Sequence, residues 1–353
     1  MDFARDETQE AVAEVAVDLL ARDLTADDLW SALAGADLLA LALPERLGGA
    51  GLGVGEVATV LTEIGRKAAP VPALATLGFG VLPVVALATD EQQDALLADV
   101  PGGAVLTAAL SEQGRPFPAA PAATAQPVDG GHVVTGYFVA VPHAATARHI
   151  LVPTDAGVVA VDATADGVTA NASPSAAGSA EFSVRFDGAV GVLLGDGADP
   201  AADVAVLYRL ALASIGAYAD GLLDGATALT AEHLSTRHQF GKPLAAFQAV
   251  AQQIADVYVT ARTLHVAALA SAWRVTHDGA RSATVDDDLD VTAYWIAEEL
   301  PPAMRVLHHL HGGIGVDVTY PLHRYSSTAK DLARLLGGAS YRLDLVGARC
   351  SSI

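Results

Sequence analysis

The apolar residues of this chain change their spacing twice, and that double change limits the folds open to it. Residues 1 to about 103 carry helical spacing. Val12, Val15, Val17, Leu19 and Leu20 give a first helix its apolar side, with Asp6 or Thr8 to start it. The segment PERLGGAGLG (44–53) breaks the pattern, and a helix is predicted over Val54 to Arg66, closed off by Pro70 and Pro72. From about 104 to 194 short β-type runs take over: AVLTAAL, HVVTGYFVAV, HILVP, GVVAV, EFSVRF and AVGVLL, separated by Gly, Pro, Asp and Asn. GRPFPAAPAATAQP reads as a Pro/Ala-rich loop among them. Helical spacing then returns. Phe247, Val250, Ala251, Ile254, Val257, Tyr258, Ala261 and Leu264 recur at intervals of three and four, which predicts one shared face. Asp286, Asp287, Asp288 and Asp290 read as an acidic turn before a helix from about Val291 to Leu310. The fold class is therefore α+β: a helical domain over 1–103, a small antiparallel β barrel or sandwich over 104–194, and a helical bundle over 195–353.

Composition narrows the function classes. Hydrophobic residues make up 52% of the 353, but aromatics only 5%, so a large core must be built from Ala, Leu and Val. The net charge of -21 repels phosphate backbones, and no basic stripe relieves it, which argues against nucleic-acid binding. The single cysteine, Cys350, excludes an internal disulfide and a cysteine-based zinc site. The stretch ALATLGFGVLPVVALA carries Gly and Pro and is expected as buried helix rather than a membrane span. The start, MDFARDETQEAV, is acidic without an apolar leader, so a cytoplasmic location is expected. His308, His309 and His311 cluster without a carboxylate or cysteine partner in sequence, so no metal is expected there.

Two short segments carry the chemistry. In RHQFGKPLAAFQ (237–248), Arg237 offers a fork of donors suited to a pyrophosphate. Phe240 offers a flat face, and Gln239 and Gln248 offer both donors and acceptors. In HLHGGIGVDVTYPLHRY (309–325), Gly312 and Gly313 let a ligand approach the backbone closely. These segments, with PERLGGAGLG and the order helices–β–helices, resemble the acyl-CoA dehydrogenase family along nearly the whole chain. The resemblance implies a C-terminal four-helix bundle. It also implies that Arg237, Gln239, Phe240, Gln248, His309, Gly312 and Gly313 contact the adenine and pyrophosphate end of an FAD held mainly by a neighbouring subunit. His309 stands where the family has Gln, with a different reach.

The resemblance also exposes losses. The family's reaction needs a carboxylate base beside the substrate's α-carbon. The usual position falls on Gly337, or on Leu336 without an insertion, and the alternative position falls near Ala211. Asp220, Asp224 and Glu232, further along that helix, read as ordinary helix-surface acids. In the β region ALSEQ (109–113) keeps the start of a flavin-lining motif and GRPFPAAP replaces the rest. The family's Thr that bonds flavin N5 becomes Pro142, which has neither hydroxyl nor N–H. No catalytic residue is therefore expected in this chain. The pattern resembles the partner-type subunit of actinobacterial heteromeric acyl-CoA dehydrogenases, heterotetramers with two copies of each of two subunits. That likeness implies FAD shared with a homologous catalytic subunit, an acyl-CoA bound mainly by that partner, steroid side-chain CoA esters among the substrates, and an electron-transferring flavoprotein as acceptor. Open beside it are a self-sufficient homo-oligomeric enzyme with a relocated base, a flavin-free structural or regulatory homologue, and a relative with different chemistry.

Overall fold

The computed structural model describes residues 3–351. The N-terminal part is helical: α1 (Glu7–Leu20), α2 (Ala26–Gly35), α3 (Val54–Arg66), a π-helical stretch Leu74–Val81 running into α4 (Leu82–Leu87), and α5 (Asp90–Leu97). Asp6 starts α1 by accepting the Gln9 N–H at 2.9 Å. The helix buries Val12, Ala13, Ala16 and Leu19, while Val15 and Val17 face outward, against expectation. The apolar segment before α5 is buried helix, as its Gly and Pro content suggested.

The middle region is a sheet of β1 (Leu106–Ala108), β2 (Ser111–Glu112), β3 (Arg115–Pro116), β4 (Thr124–Val128), β5 (Gly131–Pro142), β6 (His149–Thr154), β7 (Gly157–Asp162), β8 (Val168–Ser173) and β9 (Glu181–Leu193). Its order is β1-β6-β7-β9-β5-β2-β3, with β4 beside β5 and β8 beside β9. The pairing is antiparallel except for β1 with β6, which run parallel because the chain returns to β6 after the long β5 excursion. Two departures from the sequence reading stand out. The loop GRPFPAAPAATAQP contains β3 and most of β4. EFSVRF and AVGVLL are one strand, β9, because Gly188 (φ 78°) bends the chain without ending the pairing.

The C-terminal part holds α6 (Pro200–Thr236), a small hairpin of β10 (His238–Gln239) and β11 (Lys242–Pro243), α7 (Gln248–Asp278), α8 (Asp286–His311), α9 (Leu322–Leu335) and α10 (Ala339–Ser351). Helices α6 to α9 form the bundle and α10 packs on α8. Asp286, Asp287 and Asp288 are the first turn of α8 rather than a turn before it; acids there complement the helix dipole, and Asp286 also takes both guanidinium arms of Arg209.

The spine is α6, 37 residues long and packed on α3 as well as on α7, α8 and α9. By length and composition α6 is apolar enough to cross a membrane, yet 83% of that window is buried inside the fold. One apolar cluster runs continuously from Val12 in α1 through α6 to Leu336, so the two helical parts share a core. A second cluster, with Phe138 against Phe186, lies within the sheet.

Candidate functional site

The C-terminal ends of α6 and α8 carry the two motifs. Arg237 leaves α6 in extended conformation, and its carbonyl accepts the Leu244 N–H at 2.9 Å, which closes the β10–β11 hairpin. Phe240 sits at the hairpin tip with φ 53° and 92% of its surface exposed. Gln239 is exposed in β10, and Gln248 is exposed as the first residue of α7. At the end of α8, Gly312 turns the chain with φ 61°, and the 3-10 turn Gly312–Val316 follows. A side chain built at Gly312 or Gly313 would meet open space, so the backbone there is free to receive a ligand. The Arg237 guanidinium has no hydrogen-bond or ion-pair partner among the described residues. His309 is exposed one turn before the glycines.

His311 ties these ends together. Its ring stacks on His233 of α6, with centroids 4.5 Å apart and an 18° angle between planes. Its Nδ1 lies 2.9 Å from the Leu307 carbonyl, which only accepts, so Nδ1 carries the proton. Nε2, 3.1 Å from the Tyr320 hydroxyl, then accepts from it and pins the loop after the glycines. His311 is thus a buried, neutral link, and the hairpin and the glycine loop form one surface.

That surface is unusually apolar for something facing water. Ile314, Val316 and Val318 project from the glycine loop, with Val318 78% exposed. On α7, Val257, Ala261 and Leu264 are buried, but Ala251 and Tyr258 point outward beside Val259 and Val266. The single apolar face expected for α7 is therefore two faces, one on the bundle core and one exposed. A helix apolar on both sides and an exposed apolar loop each mark an interaction surface.

Burial pulls His143, His149, His233, His308 and His311 below the ordinary histidine value of 6.5. A depressed folded-state value means that the unfolded chain binds protons first. Stability from these groups is full above about pH 6.5, starts to fall below it as the unfolded chain takes up protons, and is lost as the pH passes down through the lower folded-state values. The melting temperature is expected to drop between pH 7.5 and 5.5, with a shallower drop in His311→Gln. A melting curve flat over this range would contradict the assignment.

Residues 1–103 match the family model for the acyl-CoA dehydrogenase N-terminal domain, and residues 207–350 match that for the C-terminal domain. Acyl-CoA dehydrogenase FadE28 of Mycobacterium tuberculosis is 50% identical over 353 residues, covering 99% of each chain. The chain belongs to the acyl-CoA dehydrogenase family. Two solved structures are similar over almost their whole length. A variant of the Tcur3481–Tcur3483 steroid ACAD shares 34% identity with a TM-score of 0.87, covering 98% of this chain and 97% of that one. The ChsE4–ChsE5 complex from Mycobacterium tuberculosis shares 29% with a TM-score of 0.88 and full coverage of both.

The region around Gly337 is tightly filled. Ala211 lies in the core of α6 without exposed surface, and Leu336 is equally buried. Gly337 has φ 86°, and a Cβ there would lie 2.7 Å from both Pro116 Cγ and Tyr341 Cδ1. Tyr341 donates to the Pro116 carbonyl at 2.7 Å. Phe117 packs edge-on to Tyr208, and Arg342 lies 4.9 Å over the Phe117 ring. Arg342 is 1% exposed, donates from Nε to the Leu336 carbonyl, and is pulled down to about 10 by burial. GRPFPAAP thus supplies the ring that fills this space.

Pro142 ends β5 and lines a cavity of about 570 Å3 between residues 68–72, the loop 177–180 and α9. Tyr218 of α6 faces the same cavity. Asp220, two residues on, points roughly 200° away around the helix and lines a different cavity. It is buried and bonded to His265, so it is not the surface acid that the sequence suggested. The residues therefore fit an FAD unequally. The open surface of Arg237, Phe240, Gln248 and the glycine backbone suits its nucleotide end, whereas Pro142 gives the isoalloxazine ring no donor.

Proposed function

We propose that this chain is the non-catalytic subunit of a heteromeric, FAD-dependent acyl-CoA dehydrogenase and completes the FAD site of a homologous partner. The observation that carries the reading is the His233–His311 stack, which joins the Arg237 hairpin and the Gly312–Gly313 loop into one exposed surface. The relatives named as the ChsE4–ChsE5 complex and the Tcur3481–Tcur3483 steroid ACAD support assembly from two different chains and a steroid-type CoA ester as substrate.

In this reading Arg237 holds the pyrophosphate with its guanidinium fork and Phe240 covers the nucleotide. Gln248 and His309 bond the adenine end, and the glycine backbone lets it approach. Ile314, Val316 and Val318 exclude water on docking against the partner. FAD supplies the acceptor for the hydride that leaves the substrate's β-carbon. This chain takes no proton from substrate, because Gly337, Leu336 and Ala211 offer no base; the partner's carboxylate does so. With FAD bound, an electron-transferring flavoprotein would take its electrons.

The test is co-expression with a candidate homologous acyl-CoA dehydrogenase subunit that keeps the catalytic Glu, with and without Arg237→Ala. The complex is expected to assemble in both cases. Flavin affinity is expected to fall by about 10- to 100-fold in the variant, the usual worth of a charge-assisted contact. Unchanged flavin content together with unchanged turnover would sink the shared-site reading.

A further inference from the structure

Helix α7 turns a nearly uncharged face outward. Its buried residues, among them Val257, Ala261, Leu264 and Ala268, look into the bundle. At about 100° per residue, Val259 and Val266 stand on the opposite side of the helix, with Val259 64% exposed. Gln252, Ala255 and Thr263 are exposed on that same side. From Gln248 to Trp273 the helix carries one acid, Asp256, and one strong base, Arg262. Both are exposed, and neither has an ion-pair partner among the described residues. A helix face that meets only water is normally polar and charged. In a chain with 41 acidic residues, a face this poor in charge stands apart.

The order of these residues fits a second copy of the same helix. Asp256 lies three residues before Val259, and Arg262 lies three residues after it. Laid antiparallel and centred on Val259, two copies bring Val259 against Val259. Each Asp256 then comes level with the other copy's Arg262, and each Ala255 with a Thr263. Two opposite-charge pairs result, one on either side of the centre. Laid parallel, the same faces set Asp256 beside Asp256 and Arg262 beside Arg262, which is unfavourable. Small side chains at 255, 259 and 263 let the helix axes approach to about 8 Å, the near end of ordinary helix packing. Net charge also limits where two copies can meet. At -21 the chains repel one another over most of their surface, and a face with one charge of each sign adds nothing to that repulsion.

We infer that the outer face of α7 is a self-complementary contact, which docks antiparallel on α7 of a second copy of this chain about a two-fold axis at Val259. The contact is separate from the flavin surface: Val259 lies about 16 Å along α7 from Gln248. It stands whether or not the heteromeric reading holds. Within that reading it joins two unlike pairs into one particle.

The test uses the full-length chain, alone and co-purified with a homologous subunit. Cys350→Ser is the background, so that the only thiol in this chain is the one introduced. Val259→Cys is expected to give a covalent dimer of this chain on mild oxidation, because residues on the axis fall within the roughly 7 Å Cα separation that a disulfide spans. Val266→Cys, about 21 Å from its own copy in this arrangement, is expected to give none. Sedimentation then reads the charges. Arg262→Asp sets an acid against Asp256 and is expected to weaken self-association by at least about tenfold. Adding Asp256→Arg is expected to restore it. All of these positions are exposed, so the fold is not at stake. Three results would overturn the inference: no covalent dimer from Val259→Cys, equal yields from both thiols, or a double variant that associates no better than Arg262→Asp alone. The first would leave this face to a different chain, and the second would mean random collision.

Discussion

Gly221→Ala is expected to destabilise the fold by more than about 3 kcal/mol, an overpacking cost at the upper end of the usual range. A Cβ on Gly221 would lie 1.8 Å from the Thr62 carbonyl oxygen and 2.9 Å from the Arg66 nitrogen. Gly225 and Gly65 make the same kind of crossing, at 1.9 Å from the Arg66 oxygen and 2.2 Å from the Tyr218 oxygen. These are backbone atoms inside regular helices, so no side-chain rotation relieves the clash, and α3 and α6 must separate. The higher helix propensity of alanine returns only about 1 kcal/mol. Because α6 also ends in the Arg237 hairpin, its displacement reaches the candidate flavin surface. Thermal melts should show a fall of about 4 °C or more, or insoluble protein. Gly35→Ala, at the end of α2 with nothing within 4 Å of the added carbon, is the control and should stay within about 1 kcal/mol of the parent. A Gly221→Ala protein that melts with the parent would mean that the α3–α6 crossing is looser than described.

Much of the architecture was legible because periodicity reports burial of one face. Val54–Arg66 was predicted with both its ends, since a glycine-rich break precedes it and a proline-rich stop follows. The same logic failed where a residue serves two surroundings. Tyr258 and Ala251 keep the apolar spacing of α7, but three- and four-residue steps fit either of two adjacent stripes, and spacing does not say which one meets the bundle. In α8 the aspartates looked like a turn because acids resemble loop residues, although they equally suit a helix's first turn. Gly188 looked like a strand break and is a bend within β9. At the candidate site, the motifs pointed to Arg237, Phe240, Gln248 and the glycines, all of which are exposed. They gave no sign of the His233–His311 stack, which depends on two helix ends 78 residues apart in sequence meeting in space. Asp220 was misjudged for a similar reason: on a helix buried on nearly every side, no sequence position can be assumed to face water.

In the proposed heteromer, supplying an acid at the Gly337 or Leu336 position is expected not to give this chain an active centre of its own. Gly337→Glu puts a side chain at φ 86°, a conformation that disfavours residues with a Cβ by about 1–2 kcal/mol. It also drives that Cβ to 2.7 Å from the Pro116 ring, which β2–β3 pairing and the Tyr341 hydroxyl hold in place. Leu336→Glu is worse. Leu336 has no exposed surface, and its carbonyl already accepts from Arg342, so a carboxyl there must be buried beside apolar neighbours or expel them. That variant is expected to lose several kcal/mol and to purify poorly. Neither change restores a donor at Pro142 or removes Phe117 and Arg342 from the space beside Gly337. In a complex with the proposed partner, Gly337→Glu should leave flavin per complex unchanged and turnover no higher than that of the parent. Twice the flavin or twice the turnover would show that a carboxylate alone separates the two subunits. The expected result instead places the proposed division in two features together, the corner built by Pro116, Phe117 and Arg342 and the proline at 142, so that restoring the chemistry requires rebuilding the packing first.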